Sequence, residues 1–462
     1  MPENLTSTLL ETLWHQLAPQ GAAAPVHFTG EGRYPSLFPV SELAQAAFGV
    51  MGRALSALLA ERHGTLAPVH IDRRLASLWF GTTLLPHGWA LPAAWDALAG
   101  DYPTADGWIR LHTNAPHHRR VVEALLGAAA DRAALAPRVA ACRKAELEAE
   151  IVAAGGCAAQ MLTEAEWQQH PQGQAVAQSP LFLWQPQAAE AARPNWTLPR
   201  ARPLKGIRVL DLTRIIAGPA ATRALAGLGA EVLRIDPPSW EEPSMEPEVT
   251  AGKRCARLDL HNPQDRATFE QLLAGADVLV HGYRAGALEK LGYGEAQRQA
   301  LSPGLVDVCL NAYGWHGPWR ERRGFDSLVQ MSCGIAASGM ESLQAPAPRP
   351  LPVQALDHAT GCLMAAAVLH GLAERLRNGR GYSVRLSLAR TAQELAAHRY
   401  PAFLAGEALP PATRNDCRDT LELTAWGGAF RLRAPLTLDG TAMLWHSPTG
   451  PLGHGLPVWS AR

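Results

Sequence analysis

The chain has 462 residues with 42 basic and 42 acidic side chains, so no global field recruits nucleic acid or anionic lipid. An anionic ligand must instead be held by a local cluster of cations. The seven cysteines (142, 157, 255, 309, 333, 362 and 417) are scattered with no CxxC pair and no His/Cys set at zinc spacing, which predicts reduced thiols and no metal.

The length suits two or three domains. The N-terminal stretch MPENLTSTLLETLWHQ has two acidic residues and no basic segment ahead of an apolar one, unlike a secretory signal. No apolar run approaches 18 residues without charge, so the expectation is a cytoplasmic protein with no membrane span. Residues 1–185 read as mostly helical, with alanine-rich segments at 41–62, 118–136 and 140–155. Within them Asp106-Gly107 precedes an alternating strand, Trp108–His112. Residues 186–204 are proline-marked and aperiodic, and read as an extended linker.

Beyond the linker the texture changes. Strands are predicted at Gly206–Leu212, Ala230–Asp236, 255–259, Asp277–His281 and Leu305–Asn311, and helices at Pro219–Leu228 and 263–274. Alternation of this kind predicts βαβ units: an α/β, Rossmann-like fold with a parallel sheet covered on both faces. A long helix at 357–377 should end where Gly379 can adopt the left-handed cap. Residues 39–62 align without gaps on 352–375, with ten of 24 positions identical, which suggests an internal duplication. In that register Ala44 stands opposite Asp357, and a small shift would place Glu42 there.

Three features carry chemistry. The turn Thr213–Pro219 joins a strand to a proline-opened helix and exposes main-chain N–H groups, suited to an anion or a thioester oxygen, although such turns more often serve only as plain connections. It is neither GxGxxG nor a Walker loop. Cations cluster at Lys253-Arg254, Arg284, Lys290 and Arg320 through Arg323, and a ligand with several phosphates would need a number of them together. Asp357, at the start of the long apolar helix, is either an N-cap or a poorly hydrated nucleophilic carboxylate stabilised by the helix N-terminus. Spacing leaves both readings open.

These residues resemble a known family. Leu204–Thr213 with Ala217-Gly-Pro219, Leu228–Val232, Gly252-Lys-Arg254, Leu258-Asp-Leu260 and Ala276-Asp-Val278 are similar, in order, to the opening of the class III CoA-transferases. Gly286–Gly292, Tyr313–Pro318, Gly324-Phe-Asp326 and Gly379-Arg-Gly381 extend the likeness over nearly all of 203–390. That family includes formyl-CoA transferase, carnitine CoA-transferase and α-methylacyl-CoA racemase. The resemblance implies Asp357 as nucleophile, with CoA-binding positions at Arg214, Ile215, Leu258, Gly282, Tyr283, Lys290 and Arg323. Relatives usually have Asn at the position of Gly282 and often Arg at that of Lys290. It implies CoA and acyl-CoA as substrate with no permanent cofactor, partnered by a carboxylic acid, in a monomer or homodimer.

The implied domain order is rearranged. Residues 1–105 resemble a partial first copy of the large domain and 106–185 its small domain. Residues 205–395 form the CoA-binding α/β domain, and 396–462 a C-terminal return segment. One chain would then supply what two interlocked subunits provide. Phe325 stands where the racemase branch has a histidine, so racemization is the weaker alternative. A non-catalytic acyl-CoA binder is the other.

Overall fold

The computed structural model describes residues 2–405 and 408–461. Its centre is a seven-stranded sheet built from β1 (Leu183–Glu190), β2 (Arg208–Leu212), β3 (Glu231–Asp236), β4 (Lys253–Arg257), β5 (Val278–His281), β6 (Val306–Asn311) and β7 (Arg380–Ser387). The spatial order is β4-β3-β2-β5-β6-β7-β1, with every pair parallel except β7 and β1. Val278 pairs with Val209 on one side and Val306 on the other, so the central strands are valine-rich and buried on both faces.

The predicted strands and helices of 205–395 are all present. Residues 186–190 differ from expectation, because they continue β1 rather than begin a linker. Pro186 is tolerated because β1 is the sheet edge, where a missing N–H breaks no ladder.

Four helices place the site: α1 (Val40–His63), α2 (Ala217–Gly227), α3 (Asp326–Ser332) and α4 (Ala355–Asn378). α1 and α4 are 24 residues each and pack along one another in the core. Among the described residues α1 is the helix long and apolar enough to cross a membrane, and protein encloses it.

Their surroundings repeat. The cap residues Pro39 and Gln354 share φ −76°, ψ 64°, and Gly64 and Gly379 close the helices at φ 73° and 76°. Each helix then leads into a strand, Val69–Asp72 or β7, and a side-chain-capped helix, in which Asp72 accepts from Leu75 N and Ser387 from Arg390 N. This cap-to-cap register sets Glu42, not Ala44, opposite Asp357. Alanine-rich helices match in several registers, and only the caps distinguish them. Glu42 is locked in an ion pair with Arg73, whose guanidinium also donates to Gln45 Oε1 at 3.1 Å.

The N-terminal region forms a small sheet in which Val26–Thr29 runs parallel to Val69–Asp72. The return segment completes it through Leu436–Leu438. A second three-stranded sheet, Gly100–Thr104, Gly107–Leu111 and Ala158–Gln160, carries the helices Pro116–Leu126, Arg132–Ala140 and Lys144–Ala153. The alanine-rich segment 118–136 forms parts of two helices, separated where Gly127 turns at φ 81°. This unit docks on α3 through Cys157, Ala159, Leu328 and Met331.

Candidate active site

The turn after β2 is strained. Ile215 sits at φ 69°, a region β-branched residues avoid at a cost of about 1–3 kcal/mol. A relay holds it: Ile215 N donates to Glu242 Oε2 at 3.0 Å, and Glu242 is paired at 2.6 Å with Arg234, which is itself bonded to Asp236 at 2.8 Å. Trp240 Nε1 donates to the same Glu242 oxygen at 3.1 Å. Burial pushes the Glu242 carboxyl up, with Arg234 opposing. None of Trp240, Arg234 and Glu242 stood out in the sequence, since a carboxylate in a proline-bracketed loop looks like surface.

Asp357 lies in the first turn of α4, and its own side chain does not cap the helix. Asp326 performs that task from α3, accepting from Asp357 N at 2.8 Å. Gly361 allows the helix to approach closely, since a Cβ there would lie 2.5 Å from Ala217 O. Asp357 is only 7% exposed. Burial, then the Asp326 charge, raises its pKa well above the usual carboxylate range. The stabilised anion expected from the helix N-terminus is thus overridden, because desolvation and a like charge outweigh the dipole. Asp326 is itself raised to about 6 by burial, against hydrogen bonds from Gln330 and the N–H groups of Asp357 and Leu356.

Two cavities meet at Asp357. One, of about 480 Å³, lies at the carboxyl ends of β2, β5 and β6 and is lined by Arg214, Tyr283, Arg284 and Arg323. The other, of about 620 Å³, is lined by Phe80, Met245, Val249, Val353 and His358. Ile215, Ile216, Trp240, Phe325 and Asp357 border both. In the first cavity the Arg214 guanidinium lies over Trp240 at 4.4 Å and Tyr283 at 5.3 Å. Arg323 donates to Gly155 O at 2.7 Å. Among the described residues no carboxylate forms an ion pair with Arg284 or Arg323. Burial and the nearby Arg323 charge push the Arg284 guanidinium down. Such a cluster of cations calls for an anion.

The structure brings five of the seven expected contact positions, Arg214, Ile215, Gly282, Tyr283 and Arg323, to the cavity beside Asp357. Leu258 and Lys290 lie outside it. Leu258 is packed into the core beneath β3 and β4, and Lys290 is exposed at the end of the short helix Ala287–Lys290. Two candidate cations are also committed elsewhere. Lys253 is buried, with its Nζ 3.0 Å from both Asp211 Oδ2 and Pro219 O, and Arg322 pairs with Glu148 at 2.7 Å. Phe325 stacks on His112 with centroids 3.8 Å apart, an aromatic wall where a proton-transfer base would have to stand. Among the described residues no group of three His, Cys, Asp or Glu side chains is placed to hold a metal.

Residues 204–428 match the family model described as CoA-transferase family III. The chain is 35% identical over 209 residues to an acetyl-coenzyme A transferase of Hypoxylon pulicicidum, covering 44% of this chain and 35% of that protein. It is 33% identical over 316 residues to an acyl-CoA transferase of Gibberella moniliformis, covering 62% of this chain and 54% of that one. A crystal structure of a Mycobacterium tuberculosis protein is similar at 35% identity and a TM-score of 0.40, over 43% of this chain and 57% of the other. The chain therefore spans 35% to 54% of the length of the two curated relatives. The matched span contains β2 through β7, α2 to α4 and Asp357, and over that span the chain is similar to CoA-transferase family III.

Proposed function

We propose that the protein moves CoA from an acyl-CoA thioester to a carboxylic acid, with Asp357 as covalent carrier. The observation that supports this most is the position of Asp357 at the junction of a cation-lined cavity and a mainly apolar one. A phosphate-bearing CoA fits the first and an acyl group the second, which brings the thioester carbonyl to the carboxylate. An Asp357 oxygen attacks that carbonyl carbon, the C–S bond breaks, and CoA departs as thiolate, leaving an acyl–aspartyl anhydride. The thiolate then attacks the aspartyl carbonyl and expels the donor acid as its carboxylate, leaving an aspartyl–CoA thioester. An acceptor carboxylate runs the two steps in reverse, so the thioester's energy is kept and no ATP is needed. The first turn of α2, lining both cavities, offers helix N-terminal N–H groups to the oxyanion.

Burial of Asp357 suits this role, because a poorly hydrated carboxylate is the stronger nucleophile once ionised. CoA, an acyl-CoA and a carboxylic acid are then the ligands, with Arg214, Ile215, Gly282, Tyr283 and Arg323 as CoA contacts. The test is mass spectrometry after incubation with an acyl-CoA. A hydroxylamine-sensitive adduct at Asp357 is expected. Tight binding of acyl-CoA with no adduct would leave only a binding protein.

A further inference from the structure

The acyl side of the junction indicates which acids are carried. This inference rests on the transfer reading above and concerns the same site. We propose that the acyl group is uncharged and mainly apolar, and that dicarboxylic acids are rejected.

The walls of the 620 Å³ cavity are largely hydrocarbon: Phe80, Ile216, Met245, Val249, Phe325 and Val353. Its ionisable lining is acidic, with Asp96, Glu241, Glu242 and Glu248 besides Asp357. Each of the four is already neutralised: Asp96 by Arg119 at 2.9 Å, Glu241 by Arg257 at 2.7 Å, Glu242 by Arg234 at 2.6 Å, and Glu248 by Arg223.

Among the described lining residues Arg223 is the one guanidinium; its charge is paired with Glu248, and its Nε, which has no hydrogen-bond partner, is buried. Its Nη1 also donates to Glu248 O at 3.0 Å and Thr83 Oγ1 at 3.1 Å, its plane lies 4.8 Å over Trp79, and it is 2% exposed. The two histidines supply no charge either. His358 stacks on Phe80 at 5.6 Å and His112 on Phe325, and burial holds both neutral with pKa values near 3.

A second carboxylate on the acyl group would shed its hydration here and meet four acids and no available cation. A buried charge without a partner is strongly disfavoured. The cations that could receive it, Arg284 and Arg323, lie across Asp357 on the side assigned to CoA.

The experiment compares the rate of Asp357 adduct formation from butyryl-CoA and octanoyl-CoA with that from succinyl-CoA and glutaryl-CoA. The apolar thioesters are expected to label at least about tenfold faster. Equal or faster labelling by succinyl-CoA overturns this inference and leaves the transfer reading standing. No adduct from any of the four overturns both.

Met245→Arg provides a second measure, since Met245 is half-buried on the cavity wall and tolerates a long side chain there. It should raise succinyl-CoA labelling relative to butyryl-CoA by about tenfold or more. An unchanged ratio would mean that the acyl group does not lie in this cavity, and would overturn the inference.

Discussion

Asp326 Oδ2 accepts a hydrogen bond from the main-chain nitrogen of Asp357 at 2.8 Å, so one buried acid caps the helix that presents another. Gln330 donates to the other Asp326 oxygen and accepts from Leu351 N at 2.7 Å, tying α3 to the chain leading into α4. The arrangement fixes the direction of the Asp357 helix and keeps a negative charge beside its carboxyl. Asp326→Asn keeps an acceptor for the cap and removes the charge. With the like charge gone the Asp357 pKa falls, so the acid limb of the pH–rate profile for adduct formation should move to lower pH. Asp326→Ala should instead lose about 1 kcal/mol of stability with the cap and slow acylation at every pH. An identical profile for wild type and Asp326→Asn would refute the electrostatic part of this account.

Asp357→Asn should abolish the adduct and raise stability in a pH-dependent way. A carboxyl whose folded pKa lies above its unfolded one contributes stability below the unfolded value and loses it as pH rises through the folded value. Burial and Asp326 raise Asp357 in this sense. The variant should therefore melt close to wild type near pH 4 and higher than wild type near pH 8, by about 1 kcal/mol. Calorimetry at the two pH values checks the sign.

Arg284 and Arg323 should bind phosphate or the CoA pyrophosphate region. Replacing either by Ala should raise KM for an acyl-CoA about tenfold, the worth of one charge-assisted hydrogen bond, with a shallower dependence of KM on salt. Lys290→Ala, at an exposed position outside the cavity, should stay within about twofold. Titration of each variant with CoA separates these outcomes directly.

Glu242 acts through Ile215. Its Oε2 is the acceptor that secures the left-handed turn, so Glu242→Ala should let the loop relax and leave Arg234 with one partner fewer. A fall in kcat/KM of about tenfold or more is expected, from displaced substrate rather than lost chemistry. Glu242→Gln, which retains the acceptor, should recover part of it. Equal damage in the two variants would point to the Arg234 charge instead.

The sequence was most legible where local pattern and spacing agree. The alternation of β2 to β6 with their helices, and the glycine stop at Gly379, needed no tertiary information, whereas the strand β7 that follows that stop was not read. Asp357 could be singled out but not assigned a role, because its cap lies 31 residues away and on another helix. Lys253 illustrates the opposite failure. Beside Gly252 and Arg254 it looked like a solvated surface cation, available to a phosphate only together with others, whereas its ammonium is buried against Asp211. The repeat was visible as composition, yet its register required the caps that pair Glu42 with Asp357. Glu42 is paired with Arg73, a residue far along the chain with no marking motif.

The way distant parts of the chain meet at the site leads to the final prediction. The cavity beside Asp357 takes Phe80 from the N-terminal region and His112 from the small unit, together with Met245 and Val353 from the region after residue 205, all on one chain. Phe80 stacks on His358, the neighbour of Asp357, so contact between these two regions passes directly through the site. If one chain supplies a whole site, two chains disabled in different regions cannot repair each other. Phe80→Arg and Asp357→Asn proteins, each inactive alone, should remain inactive after co-expression or after mixing through a denatured state and refolding. Recovery of activity in the mixture would mean that copies of the chain exchange these elements, and that the site is shared between subunits.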